Sequence, residues 1–163
     1  MPDQNTMHCI IRPMQSQDVL SIATWMVNIP LWQRYGMTLS QSESMLHKGL
    51  EANDWLFAAD ISSRLLNVGF AWAMPGGAFG RGAYLRLIGV HPEWAGVGIG
   101  GALLEAVETA AASRFRHIFL LVSDFNHEAQ RFYQRHGYQQ AGALNGFVLP
   151  EVIELLYWKR IPV

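Results

Sequence analysis

A single cysteine, Cys9, in 163 residues excludes an internal disulfide framework and agrees with a reducing compartment. Neither sign of charge is in excess: 12 Lys+Arg face 13 Asp+Glu for a net charge of -1, and the basic residues form no run. A phosphate-backbone footprint is therefore missing, and no nucleic-acid partner is expected. No apolar run approaches the roughly 20 residues that span a bilayer; IFLLV at 118–122 is among the longest. The polar start MPDQNT has no signal-peptide pattern. The expectation is a cytoplasmic protein with no membrane partner. The six histidines show no H-E-x-x-H or similar spacing, so no metal is expected. No repeat, low-complexity tract or linker interrupts the chain, which predicts one domain over 1–163. At 50% hydrophobic and 15% charged residues, it has the balance of a globular fold able to bury a core.

The pattern of apolar residues then orders the elements. HCIIRP (8–13) reads as a strand, and SQDVLSIATWMVN as a helix capped by Asp18 and ended by the link to Pro30. LSQSESMLHKGLEA (39–52) reads as a second helix. WLFAAD (55–60) and LLNVGFAWAM (65–74) read as two strands joined by an ISSR turn, followed by a glycine-rich loop PGGAFGRG (75–82). AYLRLIGV (83–90) is a strand, 101–113 a helix, and HIFLLVSD a strand apolar enough to be buried on both faces. A helix at about 126–136 stops at Gly137, and VIELLYWKRI (152–161) is a last strand. The order predicts an α+β class: a mixed, mostly antiparallel sheet flanked by helices, with one crossover unit at its centre.

That crossover carries the main chemical signal, AGVGIGG at 95–101. Gly96, Gly98 and Gly101 spell G-x-G-x-x-G, the dinucleotide fingerprint. A Walker A loop would need Lys and Ser/Thr next, and Ala102 and Leu103 stand there instead. For a Rossmann turn, Asp124 could be the ribose-binding acid. However, HPEWA separates Val90 from Gly96, and the 39 residues after Asp124 leave no room for a doubly wound sheet. An NAD-linked oxidoreductase is thus a weak alternative. The remaining reading keeps the physics: successive glycines let backbone N–H groups converge on an anion, and the following helix adds unpaired donors and a positive dipole end. A turn made of glycine only for positive φ or close packing is the plain alternative. The stripe Leu103, Val107, Ala110, Ala111 opposite Glu105, Glu108, Thr109 is simple amphipathicity.

Read together, AYLRLIGVHP, AGVGIG, GALLEAVETA and LLVSDFNHEAQRFYQRHGY resemble the GNAT-type N-acetyltransferase superfamily over roughly residues 83–138. Its acyl-CoA motif Q/R-x-x-G-x-G/A is matched by Ala95-Gly96-Val97-Gly98-Ile99-Gly100, with Ala95 in place of Arg or Gln. Its second motif is matched by Leu120, Val122, Asn126, Ala129, Phe132, Tyr133, Gly137 and Tyr138. The resemblance implies a GNAT-type fold with a sheet splayed between the strands at 83–90 and 117–123, and acetyl-CoA as co-substrate. Its pyrophosphate would be held by amides of Gly96, Val97, Gly98, Ile99, Gly100 and Gly101, beside Ala95. Its pantetheine would pair with Ile88, Gly89 and Val90, whose N–H groups would polarise the thioester carbonyl. Asn126 would face the pantetheine arm, and Tyr133 would protonate the departing thiolate. Read from the residues alone, Asn126 is a helix N-cap and Tyr133 a core aromatic.

The implied reaction moves an acetyl group to a primary amine by direct attack in a ternary complex; the alternative is a CoA-binding module without turnover. The partner is a small-molecule or peptide amine acceptor, and a homodimer is compatible with the sequence. An ammonium must lose a proton before it attacks, yet Arg86 stands where many relatives carry Glu, and Leu121 at the matching place in the next strand. Glu43, Glu51, Asp54 and His91 are the alternatives, with none singled out. Cys9 has no predicted His partner and reads as a small core residue. Trp25, Trp32 and Tyr35 read as core packing, with an apolar acceptor wall as the second reading.

Overall fold

In a computed structural model, residues 8–162 are described. Among them, seven strands form one sheet in the order β1-β2-β3-β4-β5-β7-β6. The strands are β1 Ile10–Pro13, β2 Trp55–Asp60, β3 Gly69–Ala78, β4 Gly82–Val90, β5 His117–Ser123, β6 Gln139–Asn145 and β7 Ile153–Arg160. The helices are α1 Val19–Met26, α2 Pro30–Arg34, α3 Leu39–Glu51, α4 Ile99–Ala112 and α5 His127–Arg135. The pairs β1–β2, β5–β7 and β6–β7 are antiparallel, and β4–β5 is parallel across the α4 crossover. The residues group into two compact units: the chain up to Ala71 with Ile88–Ala106, and Trp72–Leu87 with Val107 onward.

In the first unit, the buried side chains of α1 (Val19, Ile22, Trp25, Met26) lie with Trp32, Leu46 and Phe70 in an apolar core. An ionic knot ties its first strand down. The Arg12 guanidinium donates to Asp18 at 2.7 and 3.0 Å, to Asp60 at 2.5 Å and to Asn67 Oδ1 at 3.3 Å. Both carboxylates are buried and take a further backbone amide each, Gln15 N–H on Asp18 and Asn67 N–H on Asp60. This is why Asp18 does not cap α1 as expected: its oxygens are already committed, and it makes no cap hydrogen bond to that helix. Burial alone would raise the Asp18 carboxyl, but hydrogen bonds from Arg12, Gln15 and Asn67 outweigh it and hold the group below its ordinary value.

In the second unit, β5 alternates, with Ile118, Leu120 and Val122 buried and His117, Phe119 and Leu121 half-buried. It is therefore not buried on both faces, as the continuous apolar run suggested. Trp158 of β7 lies over that half-buried row, stacked on His117 and tilted against Phe119.

Other boundaries differ for local reasons. The 65–74 segment is not one strand: Leu65 closes a tight turn on Ser62, and Leu65 and Leu66 are exposed. Strand β3 begins at Gly69 and runs on through the stretch expected to be loop. The turn shrinks to Phe79-Gly80, with φ of 57° and 69° and a hydrogen bond from Arg81 N–H to Ala78 O, a type I′ hairpin. Pro30 does not only end α1; it opens the short helix α2 at its first position, where a missing N–H costs nothing. Helix α4 starts at Ile99, two residues before its expected start. Strand β6 carries no apolar alternation and is almost wholly exposed, which is why the sequence does not announce it.

Replacing Asp18 with Asn leaves Arg12 short of one buried carboxylate, and unfolding free energy at pH 7 is expected to fall by about 2 kcal/mol. Because the native carboxyl titrates below its unfolded value, this contribution is full above the unfolded pKa and is lost as pH falls through the folded one. Urea titrations of wild type and variant should converge toward pH 2; an equal gap at pH 2 and pH 7 would contradict the assignment.

Candidate active site

The glycine turn lies in the first unit. The 3₁₀ turn Pro92–Trp94 follows β4, with His91 Nδ1 accepting the Glu93 N–H. Gly96 and Gly98 then take φ of +79° and +93°, a region that side chains oppose. The first bond into α4 is Ala102 N–H to Gly98 O at 3.1 Å. The amides of Gly96, Val97, Gly98, Ile99, Gly100 and Gly101 donate to no acceptor among the described residues. Apart from buried Ile99, these residues are exposed or half-buried, and a Cβ built on Gly96 or Gly98 would meet nothing within 4 Å. The arrangement offers a run of free N–H donors at the positive end of a 14-residue helix, which is a site for an anion. Ala95, on the loop just before them, adds no charge.

Ile88, Gly89 and Val90, also in the first unit, end β4 and are half-buried. Gly89 has a steric reason to be glycine: a Cβ there would stand 2.5 Å from Trp32 Cη2 and 3.2 Å from Phe70 Cε1. The Trp32 ring thus packs directly on strand backbone, tilted against Phe70 at 5.8 Å. Trp25 packs edge-on against Phe70 and His91, and its indole N–H donates to Asn67 O at 2.9 Å. Trp25 and Trp32 are buried core aromatics, while Tyr35 is half-buried. Glu43, Asp54 and His91 are half-buried and Glu51 is exposed, all in this unit.

Asn126 and Tyr133 belong to the second unit. Asn126 is the N-cap of α5, with Oδ1 accepting the Ala129 N–H at 3.2 Å. Tyr133 is buried among rings, edge-on to Phe132 at 5.2 Å and to Tyr138 at 5.8 Å. Its hydroxyl nevertheless has no hydrogen-bond partner among the described residues, and it is not sealed from solvent. Burial, and secondarily Tyr84, raises its pKa above that of an ordinary phenol, so it keeps its proton. Tyr138, by contrast, donates to Glu108 at 3.1 Å, and Lys159 pairs with the same carboxylate at 2.9 Å. Glu108 is therefore structural rather than a bare solvent-facing charge. Cys9 is half-buried, and burial, then Asp60, raises its thiol pKa, which disfavours a nucleophilic thiolate.

Two polar residues of the second unit escaped the sequence reading: Tyr84 on β4 and Glu154 on β7, the latter buried. An acid inside the otherwise apolar VIELLYW is the signal that could have found Glu154.

Comparison with known proteins gives this geometry its context. Residues 54–140, more than half of the chain, match the family model described as "Acetyltransferase (GNAT) domain". Among solved structures, an N-acetyltransferase from Staphylococcus aureus Mu50 is similar at 18% identity and TM-score 0.74, over 95% of this chain and 99% of that one. An aminoglycoside 6'-N-acetyltransferase complexed with coenzyme A is similar at 19% identity and TM-score 0.72, over 94% and 98%. Nourseothricin acetyltransferase is similar at 25% identity and TM-score 0.62, over 69% and 68%. No curated protein sequence matches significantly. The class is that of acyl-CoA-dependent N-acyltransferases. The chain belongs to the GNAT acetyltransferase family, which sets aside the oxidoreductase.

Replacing Gly89 with Ala drives a methyl into the Trp32 ring and should lower stability by about 1 to 3 kcal/mol. The accompanying loss of near-ultraviolet tryptophan dichroism would report displacement of Trp32; an unchanged spectrum and midpoint would show that the ring yields freely.

Proposed function

We propose that this chain transfers an acetyl group from acetyl-CoA to a primary amine by direct attack in a ternary complex, and that residues 1–163 act as a single acetyltransferase domain. The observation that carries the reading is the run of unpaired amides from Gly96 to Gly101 at the α4 N-terminus, in a chain of this family. Those N–H groups suit the pyrophosphate of CoA, with the dipole of α4 adding to the attraction. The aminoglycoside 6'-N-acetyltransferase of the same fold was solved with coenzyme A, which supports CoA as the carrier. Ile88, Gly89 and Val90 would offer strand backbone to the pantetheine and N–H groups to the thioester oxygen as it gains charge. The Asn126 side-chain amide, whose oxygen is spent on the helix cap, would have its N–H donors for the arm.

In the reaction, the neutral amine nitrogen attacks the thioester carbonyl. A C–N bond forms, the C–S bond breaks, and the sulfur leaves with the electron pair. Tyr133 gives its proton to that sulfur, and the phenolate is restored by a proton the new amide nitrogen must shed. An unpartnered hydroxyl that stays protonated suits this role, since it has no competing acceptor to give up. A cytoplasmic location and the absence of a metal from the reaction belong to this reading.

The test is release of free thiol from acetyl-CoA over a library of primary amines. For Tyr133→Phe, kcat should fall roughly 100-fold while the acetyl-CoA dissociation constant barely moves. Because that hydroxyl makes no hydrogen bond among the described residues, the same change should leave the thermal midpoint nearly unaltered. A variant with wild-type kcat would remove Tyr133 from the mechanism.

A further inference from the structure

Folding gathers positive charge at one end of the second unit. Arg81 directly precedes β4 and Arg116 directly precedes β5, and a Cβ on Gly82 would stand 3.0 Å from His117 O, so the two strands begin side by side. On the other side of β5, His117 pairs with Arg160, and the Ile161 N–H donates to Arg116 O at 2.8 Å. Arg81, Arg116 and Arg160 therefore stand at one end of three neighbouring strands, spaced about 5 Å apart. Arg114 adds a fourth cation, 5.4 Å from the ring centroid of Phe115. All four arginines are exposed. They form no run in the sequence because separate stretches supply them.

The segments that build this end, 75–87, 109–119 and 155–162, contain no Asp or Glu. The acids of the unit lie elsewhere: Asp124, Glu128, Glu151 and Glu154 are at the far end, where β5 stops and β7 starts, and Glu108 is held by Lys159 and Tyr138. The side chains of Arg81, Arg116 and Arg160 make no hydrogen bond or ion pair among the described residues. Like charges on adjoining strands repel, so the cluster costs stability that no acid here offsets.

The turn beside it carries a second cost. Phe79 takes φ of 57°, where Asn or Gly is usual in a type I′ turn, and its side chain is 81% exposed, the most of the exposed large apolar residues described. Its ring meets Phe119 edge to face at 6.0 Å. A bulky apolar group held in water, on a backbone that opposes it, gains when an apolar phase covers it.

We propose that this end of the unit is a docking surface for an anionic membrane, with Phe79 entering the headgroup layer and the arginines pairing with acidic lipid headgroups. One exposed apolar side chain at a turn, beside a cluster of cations, is the chemistry of a bilayer interface. A single-stranded nucleic acid is served instead by several open aromatic faces, and here His117, Phe119 and Trp158 are half-buried and packed on one another. No helix among the described residues is long and apolar enough to cross a membrane, so the contact is peripheral. The inference is independent of the acetyl-transfer reading.

The experiment is co-sedimentation of the whole chain with vesicles of phosphatidylserine and phosphatidylcholine in equal parts, with vesicles of phosphatidylcholine alone, and, in competition, with polyuridylate. Wild type should bind the anionic vesicles only, less so as salt rises. Arg81→Gln, Arg116→Gln and Arg160→Gln should each weaken binding about fivefold, the scale of one cation at an anionic surface. Phe79→Asn should weaken it about tenfold while holding or raising the thermal midpoint, because Asn suits the turn. A residue kept for folding would do the reverse, losing stability and leaving vesicle binding intact. All four variants should bind acetyl-CoA as wild type does. No preference for anionic over neutral vesicles, arginine variants that bind as wild type, or release from vesicles by polyuridylate that the protein binds more tightly would overturn the inference, the last in favour of a nucleic-acid surface.

Discussion

Gly96 and Gly98 take φ of +79° and +93°, and those two backbone angles are the constraint on which the functional reading depends. A side chain at either position would pull φ back to negative values, the turn would reopen, and the amides from Gly96 to Gly101 would no longer be presented together. A helix of 14 residues then starts at Ile99 with its first N–H groups uncommitted. In the proposed reading the donor's anion is held by backbone, which asks for no Arg or Lys, and Ala95 just before these amides adds no charge.

A backbone site works only if the elements around it hold still. The first unit achieves this through contacts that tolerate little change. The Trp32 ring rests on Gly89 with no room for a Cβ, and Trp25 spends its indole N–H on the Asn67 carbonyl. Asn67, in turn, is bound to Asp60 and Arg12. In this way the ionic knot that fixes β1 also fixes the residue that holds the tryptophan beside His91. The second unit is built differently, with Tyr133 in a nest of rings and its hydroxyl spare. The first unit packs closely where backbone is presented, and the second holds the Tyr133 hydroxyl without a hydrogen-bond partner among the described residues.

Much of this was legible in the sequence because it rests on local rules. The glycine turn, the helix after it, the stop at Gly137 with φ of 87°, and strands β2, β4, β5 and β7 follow from periodicity and turn chemistry. What was hidden depends on distant partners. Asp18 looks like an N-cap until Arg12 and Gln15 claim its oxygens. LLNV looks like strand until Leu65 folds back on Ser62. Strand β6 has no apolar face to declare it. Glu154 and Tyr84 come onto one face only through the pairing of β4, β5 and β7, which no local window contains. The motif residues Asn126 and Tyr133 were visible in the sequence, but the unpartnered hydroxyl of Tyr133 was not, since it depends on what every neighbour does.

The central claim is that amides, not side chains, bind the donor. Glycine amide resonances give direct access to it: a nitrogen-15 correlation spectrum of the whole chain titrated with CoA, and separately with NAD. The account predicts that CoA shifts the amides of Gly96, Gly98, Gly100 and Gly101 in a saturable way, with Gly36 and Gly80 unmoved, and that NAD shifts none of the four. Saturating CoA that leaves these four amides in place while moving others would contradict it.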